Sequence, residues 1–111
     1  MQILEYIWID GVGELKSKVR CWPSDESAPT WTIDGSSMSF PVINRNTEVV
    51  LNPVLEVPSP FQSSTKLVLC ETLYNNVPTA TNTRRLLQET ITNKQLEDLW
   101  FGFEQEYIIY Q

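Results

Sequence analysis

Two alternating runs joined by a glycine turn constrain the fold of this chain more than any other feature. Glu5-Tyr6-Ile7-Trp8-Ile9-Asp10 alternates along its length, Gly11-Val12-Gly13 interrupts it, and Leu15 to Trp22 alternates again with Lys16, Lys18 and Arg20 on one face. Successive side chains of an extended strand point to opposite faces, so a period-two pattern marks a strand with one covered and one open side. Two such runs around a short glycine turn predict a hairpin. The three basic residues are expected to form the solvated side of its second strand.

The remaining segments add strands and one helix. Pro23 to Pro29, rich in Ser, Asp, Glu and Pro, predicts an exposed loop. Trp31-Thr32-Ile33 is a short strand leading into the turn-forming Asp34-Gly35-Ser36-Ser37. Glu48 to Val57 is a further strand, and Pro53 within it implies a sheet edge or a bulge. Lys66 to Leu73 is the most apolar candidate and is expected at the centre of the sheet. After Asn75-Asn76-Val77-Pro78, either Thr81 or Asn82 can cap a helix running through Gln88 and Thr92, with Leu86, Leu87 and Ile91 as its buried stripe. Lys94 to Asp98 is read as a further helical turn and Trp100 as the start of a last strand. With 41% hydrophobic and 20% charged residues the chain has globular composition. Four or five short strands and one helix make an α+β domain on a mixed or mostly antiparallel sheet.

Several chemistries are excluded. The chain has no histidine, which removes Ser-His-Asp and Cys-His nucleophilic arrangements and the commonest zinc ligand. A net charge of −6, with no basic run longer than Arg84-Arg85, argues against a nucleic-acid partner. No apolar run approaches the roughly 20 residues of a membrane span, and Met1 opens onto strand-like sequence, so the expected address is the cytoplasm. Cys21 and Cys70 lie outside any Cys-x-x-Cys pattern and are expected as reduced, partly buried thiols.

Trp100-Phe101-Gly102-Phe103-Glu104-Gln105-Glu106-Tyr107 sets two carboxylates one residue apart in an aromatic run. On a strand Glu104 and Glu106 share a face, with α-carbons roughly 7 Å apart, where they can take part in holding a divalent cation. An exposed strand face or frayed segment accounts for the same pattern. Asp34 likewise fits an ordinary Asp-Gly-Ser turn, its carboxylate capping local amides. Trp8, Trp22, Trp31 and Trp100 are expected as core or interface anchors.

Taken together, Glu5-Tyr6-Ile7-Trp8-Ile9-Asp10-Gly11, Trp31-Thr32-Ile33-Asp34-Gly35-Ser36-Ser37, Thr81-Asn82-Thr83-Arg84 and Trp100 to Tyr107 resemble the glutamine synthetase family, its eukaryotic-type branch most closely. The resemblance covers about Glu5 to Tyr110, but only the opening part of a full-length member. It implies a β-grasp (ubiquitin-like) domain over residues 1–74, a mixed sheet with one main helix. Residues 75–111 would be the linker helix and first strand of a truncated catalytic domain.

The resemblance also implies chemistry. Full-length members phosphorylate glutamate with ATP and displace the phosphate with ammonia, using Mg2+ or Mn2+ to offset developing charge. It assigns Glu104 and Glu106 as metal ligands, Asp34 as the acid that helps bind ammonium and take its proton in a neighbouring subunit's site, and Ser37 as its positioning neighbour. Met38-Ser39-Phe40-Pro41-Val42-Ile43-Asn44-Arg45 departs from the family's Gln-, Gly- and acid-containing loop. The chain alone is expected to bind neither metal nor ATP and to form no glutamine. The alternative is a stand-alone module that docks onto a full-length synthetase or self-associates through the strand from Phe101 to Tyr110. A third reading is a domain whose ligand has changed or been lost.

Overall fold

The computed structural model of the chain describes residues 1–94 and 99–111. Strands β1 (Gln2–Ile9) and β2 (Leu15–Trp22) form the expected antiparallel hairpin, from Gln2 opposite Trp22 to Ile9 opposite Leu15. Its turn is organised by the buried Asp10, whose Oδ1 accepts the backbone N–H groups of Val12 at 3.0 Å and Glu14 at 2.9 Å. Burial pushes this carboxyl's pKa up, yet those amides and the nearby Lys16 ammonium outweigh it and hold it below the usual range.

Beyond the hairpin come β3 (Trp31–Asp34), a 3-10 turn (Gly35–Met38), β4 (Glu48–Pro58), β5 (Thr65–Tyr74), the two-residue β6 (Val77–Pro78) and helix α1 (Thr83–Lys94). The sheet order is β2-β1-β5-β4-β3, with β6 paired to β5. β1 and β5 run parallel, Ile3 beside Thr65 through Ile7 beside Leu69, and the other pairs are antiparallel. The chain is thus the expected α+β fold, a β-grasp-like mixed sheet with a single α-helix among the described residues. β5 is central, as its apolar sequence requires, and the register of β4 shifts between Pro53 and Leu55. The proline lacks the N–H that an unbroken ladder needs.

One face of this sheet carries the core. Leu4, Tyr6 and Trp8 of β1 are buried with Val68 and Cys70 of β5, Val49 and Leu51 of β4, and Ile33 of β3. Connections cover that face: Tyr6 Oη donates to the carbonyl of Pro29 at 2.7 Å, while Phe40, Met38 and Val42 close the other end. Truncating a side chain such as Trp8 costs about 3–5 kcal/mol, a large share of the ~5–15 kcal/mol that stabilises a typical domain. Both cysteines are free. Cys21 is exposed, and Cys70 is buried, which pushes its thiol up to about 12.

Four expectations change. The β1–β2 register puts Lys16, Lys18 and Arg20 on the same side as Leu4, Tyr6 and Trp8, while Leu15 and Val19 face out and are exposed. β2 is an edge strand, so long cationic stems can lie over the rim of the core. The Lys18 ammonium sits 3.5 Å from the Trp31 ring centroid, and the Arg20 guanidinium lies 4.9 Å from that ring and 5.0 Å from Trp22. Second, α1 begins at the Asn82 cap, whose Oδ1 accepts the N–H of Arg85 at 3.2 Å, yet none of its residues is buried. Leu86, Leu87 and Ile91 are exposed, and the helix is joined by Arg85 and Asn82 to Glu71, which alternation on β5 turns to the face opposite Val68 and Cys70.

Third, residues 99–111 form no strand and are exposed throughout, Trp100 at 94% included, because no strand of the sheet pairs with them and an extended segment needs a ladder partner. The helical turn expected over Gln95 to Asp98 lies outside the described residues. Fourth, Cys21 is exposed where a partly buried thiol was expected.

What ties α1 to the sheet is polar. The buried carboxylate of Glu71 on β5 accepts both Nε (2.9 Å) and Nη2 of Arg85, Nδ2 of Asn82 at 3.3 Å and Nδ2 of Asn52 at 2.8 Å. The Arg85 hydrogen bonds hold this acid below the ordinary carboxylate range against the upward push of burial. Because the folded pKa is the lower one, the stabilisation is fully present above the unfolded value of roughly 4.3 and is lost as pH falls through the folded value. Glu71→Gln should therefore lower stability by about 1–3 kcal/mol at pH 7 and raise hydrogen exchange over residues 83–94. Urea titrations should show that deficit shrinking below about pH 4. A deficit of the same size at pH 7 and pH 3 would contradict an ionic tie.

Candidate functional site

Asp34 closes β3 and caps the 3-10 turn that follows it. Its Oδ1 accepts the Ser36 N–H at 3.1 Å and the Ser36 hydroxyl at 2.7 Å. Those hydrogen bonds hold the exposed carboxyl below its usual range, so it is an anion at neutral pH. Ser37 is also exposed, and its hydroxyl donates to the Asp34 backbone carbonyl at 3.0 Å. The predicted pair is thus brought together, although the group bonded to the carboxylate is Ser36. Sequence reasoning passed over Ser36, and the signal was its place two residues after an aspartate that caps a turn.

Close packing fixes this loop. Gly35 is buried, its N–H donates to the Thr47 carbonyl at 2.6 Å, and an added β-carbon would meet Val49 Cγ2 at 2.6 Å. The next segment lies against the β1–β2 turn: the Gly11 N–H donates to the Met38 carbonyl at 3.0 Å, and a β-carbon on Gly11 would fall 1.9 Å from the Ser39 carbonyl oxygen. Gly11 lets backbone approach backbone, while Gly35 leaves room for the Val49 side chain. The altered sequence after Ser37 therefore has a packing role, since Met38, Phe40 and Val42 all join the core.

Glu104 and Glu106 are exposed in the segment without regular secondary structure. No hydrogen bond or salt bridge among the described residues joins them to each other or to Asp34 and Ser37. Nor do three His, Cys, Asp or Glu side chains gather there as a metal cluster. Two carboxylates match a hard divalent cation in kind, but an ion held by so few protein oxygens keeps several waters and relies on further ligands such as phosphate oxygens. Among the described residues no third acid joins Glu104 and Glu106.

The four motifs thus sit on a folded sheet domain, an anionic loop at one end of it, and an exposed aromatic segment with two acids. Compared with known proteins, the chain is 42% identical over 111 residues to glutamine synthetase of Panulirus argus, covering 94% of this chain. The chain is a homologue of glutamine synthetases. It is 35% identical over 114 residues to the Saccharomyces cerevisiae glutamine synthetase, covering 97% of this chain, and 39% over 121 residues to a chloroplastic glutamine synthetase of Chlamydomonas reinhardtii, covering 93%. The chain spans 30–32% of the length of these relatives, matching their N-terminal portion. No protein-family model matches it. No helix among the described residues is long and apolar enough to cross a membrane.

Gly11→Ala tests the seating of the Asp34 loop in this glutamine synthetase homologue. Overpacking at such a contact costs about 1–3 kcal/mol, read from urea unfolding, and should displace the amide resonances of Ser36 to Phe40. A variant with wild-type stability and unmoved loop signals would contradict the packing described.

Proposed function

We propose that this chain is the N-terminal portion of a glutamine synthetase and supplies part of a glutamate-ammonia ligase site while being unable to complete the reaction alone. The observation that carries this reading is the close likeness to the Panulirus argus enzyme over 94% of the chain, set against a span of only 30% of that relative. Asp34 is the residue we assign to ammonium, with Ser36 fixing its carboxylate and Ser37 bracing the loop. A carboxylate held below the usual range suits attraction of a cation better than acceptance of a proton, so its role in the isolated chain is electrostatic. Glu104 and Glu106 are assigned as metal-facing acids that need ligands from elsewhere in a complete synthetase. Other synthetase subunits are the expected partners, and the cytoplasm the expected setting.

A second reading is favoured by one observation: Trp100, Phe101, Phe103 and Tyr107 are all exposed in a segment with no sheet to join. Under it the chain self-associates or docks onto a synthetase without performing catalysis.

The ligase reading is tested by a glutamine assay with glutamate, ammonium, ATP and magnesium. The 111-residue chain should give no product. A chimaera in which it replaces the matching part of the Panulirus argus enzyme should be active, and Asp34→Ala or Glu104→Ala within the chimaera should cut kcat at least tenfold. Turnover by the chain alone, or a folded but inactive chimaera, would contradict the proposal.

A further inference from the structure

The edge strand β2 and the exposed segment from Trp100 to Tyr107 have complementary patterns. β2 carries Lys16, Lys18, Arg20 and Trp22 on its covered side and Leu15, Ser17, Val19 and Cys21 on its open side. Trp100 to Tyr107 has the same length and, if extended, turns Trp100, Gly102, Glu104 and Glu106 one way and Phe101, Phe103, Gln105 and Tyr107 the other.

An antiparallel register with Trp100 opposite Trp22 and Tyr107 opposite Leu15 sets Glu104 against Lys18 and Glu106 against Lys16. It sets Phe103 against Val19, Phe101 against Cys21, Gln105 against Ser17, and the small Gly102 beneath the stacked Arg20. Each acid meets a base, and the large apolar groups meet apolar groups. A slip of one residue would turn both acids onto the apolar side. The parallel alternative that keeps Glu104 at Lys18 leaves Gln105 against Val19 and Phe103 against Ser17.

We infer that Trp100 to Tyr107 of one copy pairs with the free edge of β2 in a second copy, adding a strand to its sheet. This rests on the self-association reading and says where the contact is made. Three observations support it. β2 pairs only with β1 among the described residues, so its outer edge is a template for another strand. Lys18 and Arg20 make no salt bridge among the described residues; the Lys18 ammonium donates to the Thr32 carbonyl and lies over Trp31, so it meets no acid, and burial and Arg20 hold its pKa below the usual value. Lys16 already meets Glu14 at 3.0 Å and Asp10 at 3.8 Å, so Glu104 at Lys18 provides the main new ion pair. Among the described residues, 99–111 pair with no strand of their own chain, and the complementary pattern of β2 fits them to a second copy. Mutual exchange gives a closed, twofold pair that buries both segments.

Sedimentation of the 111-residue chain across a concentration series, with hydrogen exchange at both ends of the series, tests this. The expected result is a monomer–dimer equilibrium with slowed exchange at Leu15 to Trp22 in the dimer. Glu104→Lys with Glu106→Lys, changes confined to exposed positions, should weaken the dimer at least tenfold. A dimer that persists in the double variant, with no slowing at β2, would overturn the assigned contact while leaving self-association standing. A monomer at every concentration would overturn both, and a monomer with β2 already protected would assign the segment to its own chain.

Discussion

The parallel pairing of β1 with β5 is the contact on which the rest of this domain depends. It joins a local hairpin to a strand some sixty residues later in sequence, Ile3 lying beside Thr65, and so assembles one face from Leu4, Tyr6, Trp8, Val68 and Cys70. Only then can β4 and β3 extend the sheet and bring Asp34 to the end of a rigid strand. The closure entropy of that long connection is repaid by burial of an entire apolar face. The face is finished by connections: the Pro29 carbonyl receives the Tyr6 hydroxyl, and Phe40 packs beneath the turn that Asp34 caps. Core and candidate site are therefore built by the same residues.

Helix α1 stands outside that arrangement. Its apolar side chains are open, and its attachment passes through Asn82 and Arg85 to the buried Glu71. A charge-assisted clasp of this sort fixes orientation at the cost of desolvating an acid, whereas an apolar face would have fixed it by burial. The glutamine synthetase likeness gives this a sense, because the helix leads toward the segment bearing Glu104 and Glu106. That segment carries two acids among aromatic residues, and among the described residues it pairs with no strand and gathers no third acid.

Much of the fold was legible from local pattern. Period-two alternation located β1, β2 and β5, Pro53 marked the irregularity in β4, and of the two candidate caps, Thr81 and Asn82, it is Asn82 that starts the helix. Errors arose where position in the sheet, invisible to a local pattern, decided the outcome. Lys16, Lys18 and Arg20 read as solvated because they are charged, but on this edge strand Lys18 and Arg20 lie over tryptophan rings and Lys16 pairs with Asp10 and Glu14. Leu86, Leu87 and Ile91 read as buried because they are apolar, but the helix is held by polar bonds to Glu71 and its apolar stripe stays open. Glu71 looked like one more alternating strand residue, and an acid within the most apolar strand was the signal that it had a dedicated partner. Of the candidate site, the Asp34 turn could be read from Asp-Gly-Ser-Ser, whereas the roles of Asp34, Ser37, Glu104 and Glu106 came from family likeness alone.

Under the proposed reading the chain carries a folded sheet domain and only part of the ligand set for a metal ion. Titration of Mn2+ into the 111-residue chain, followed by paramagnetic broadening of the Glu104 and Glu106 amide signals, tests it most directly. Weak, non-saturating broadening through the millimolar range is the result this account requires. Saturable binding at micromolar Mn2+ with those two signals lost first would show a complete site and contradict it.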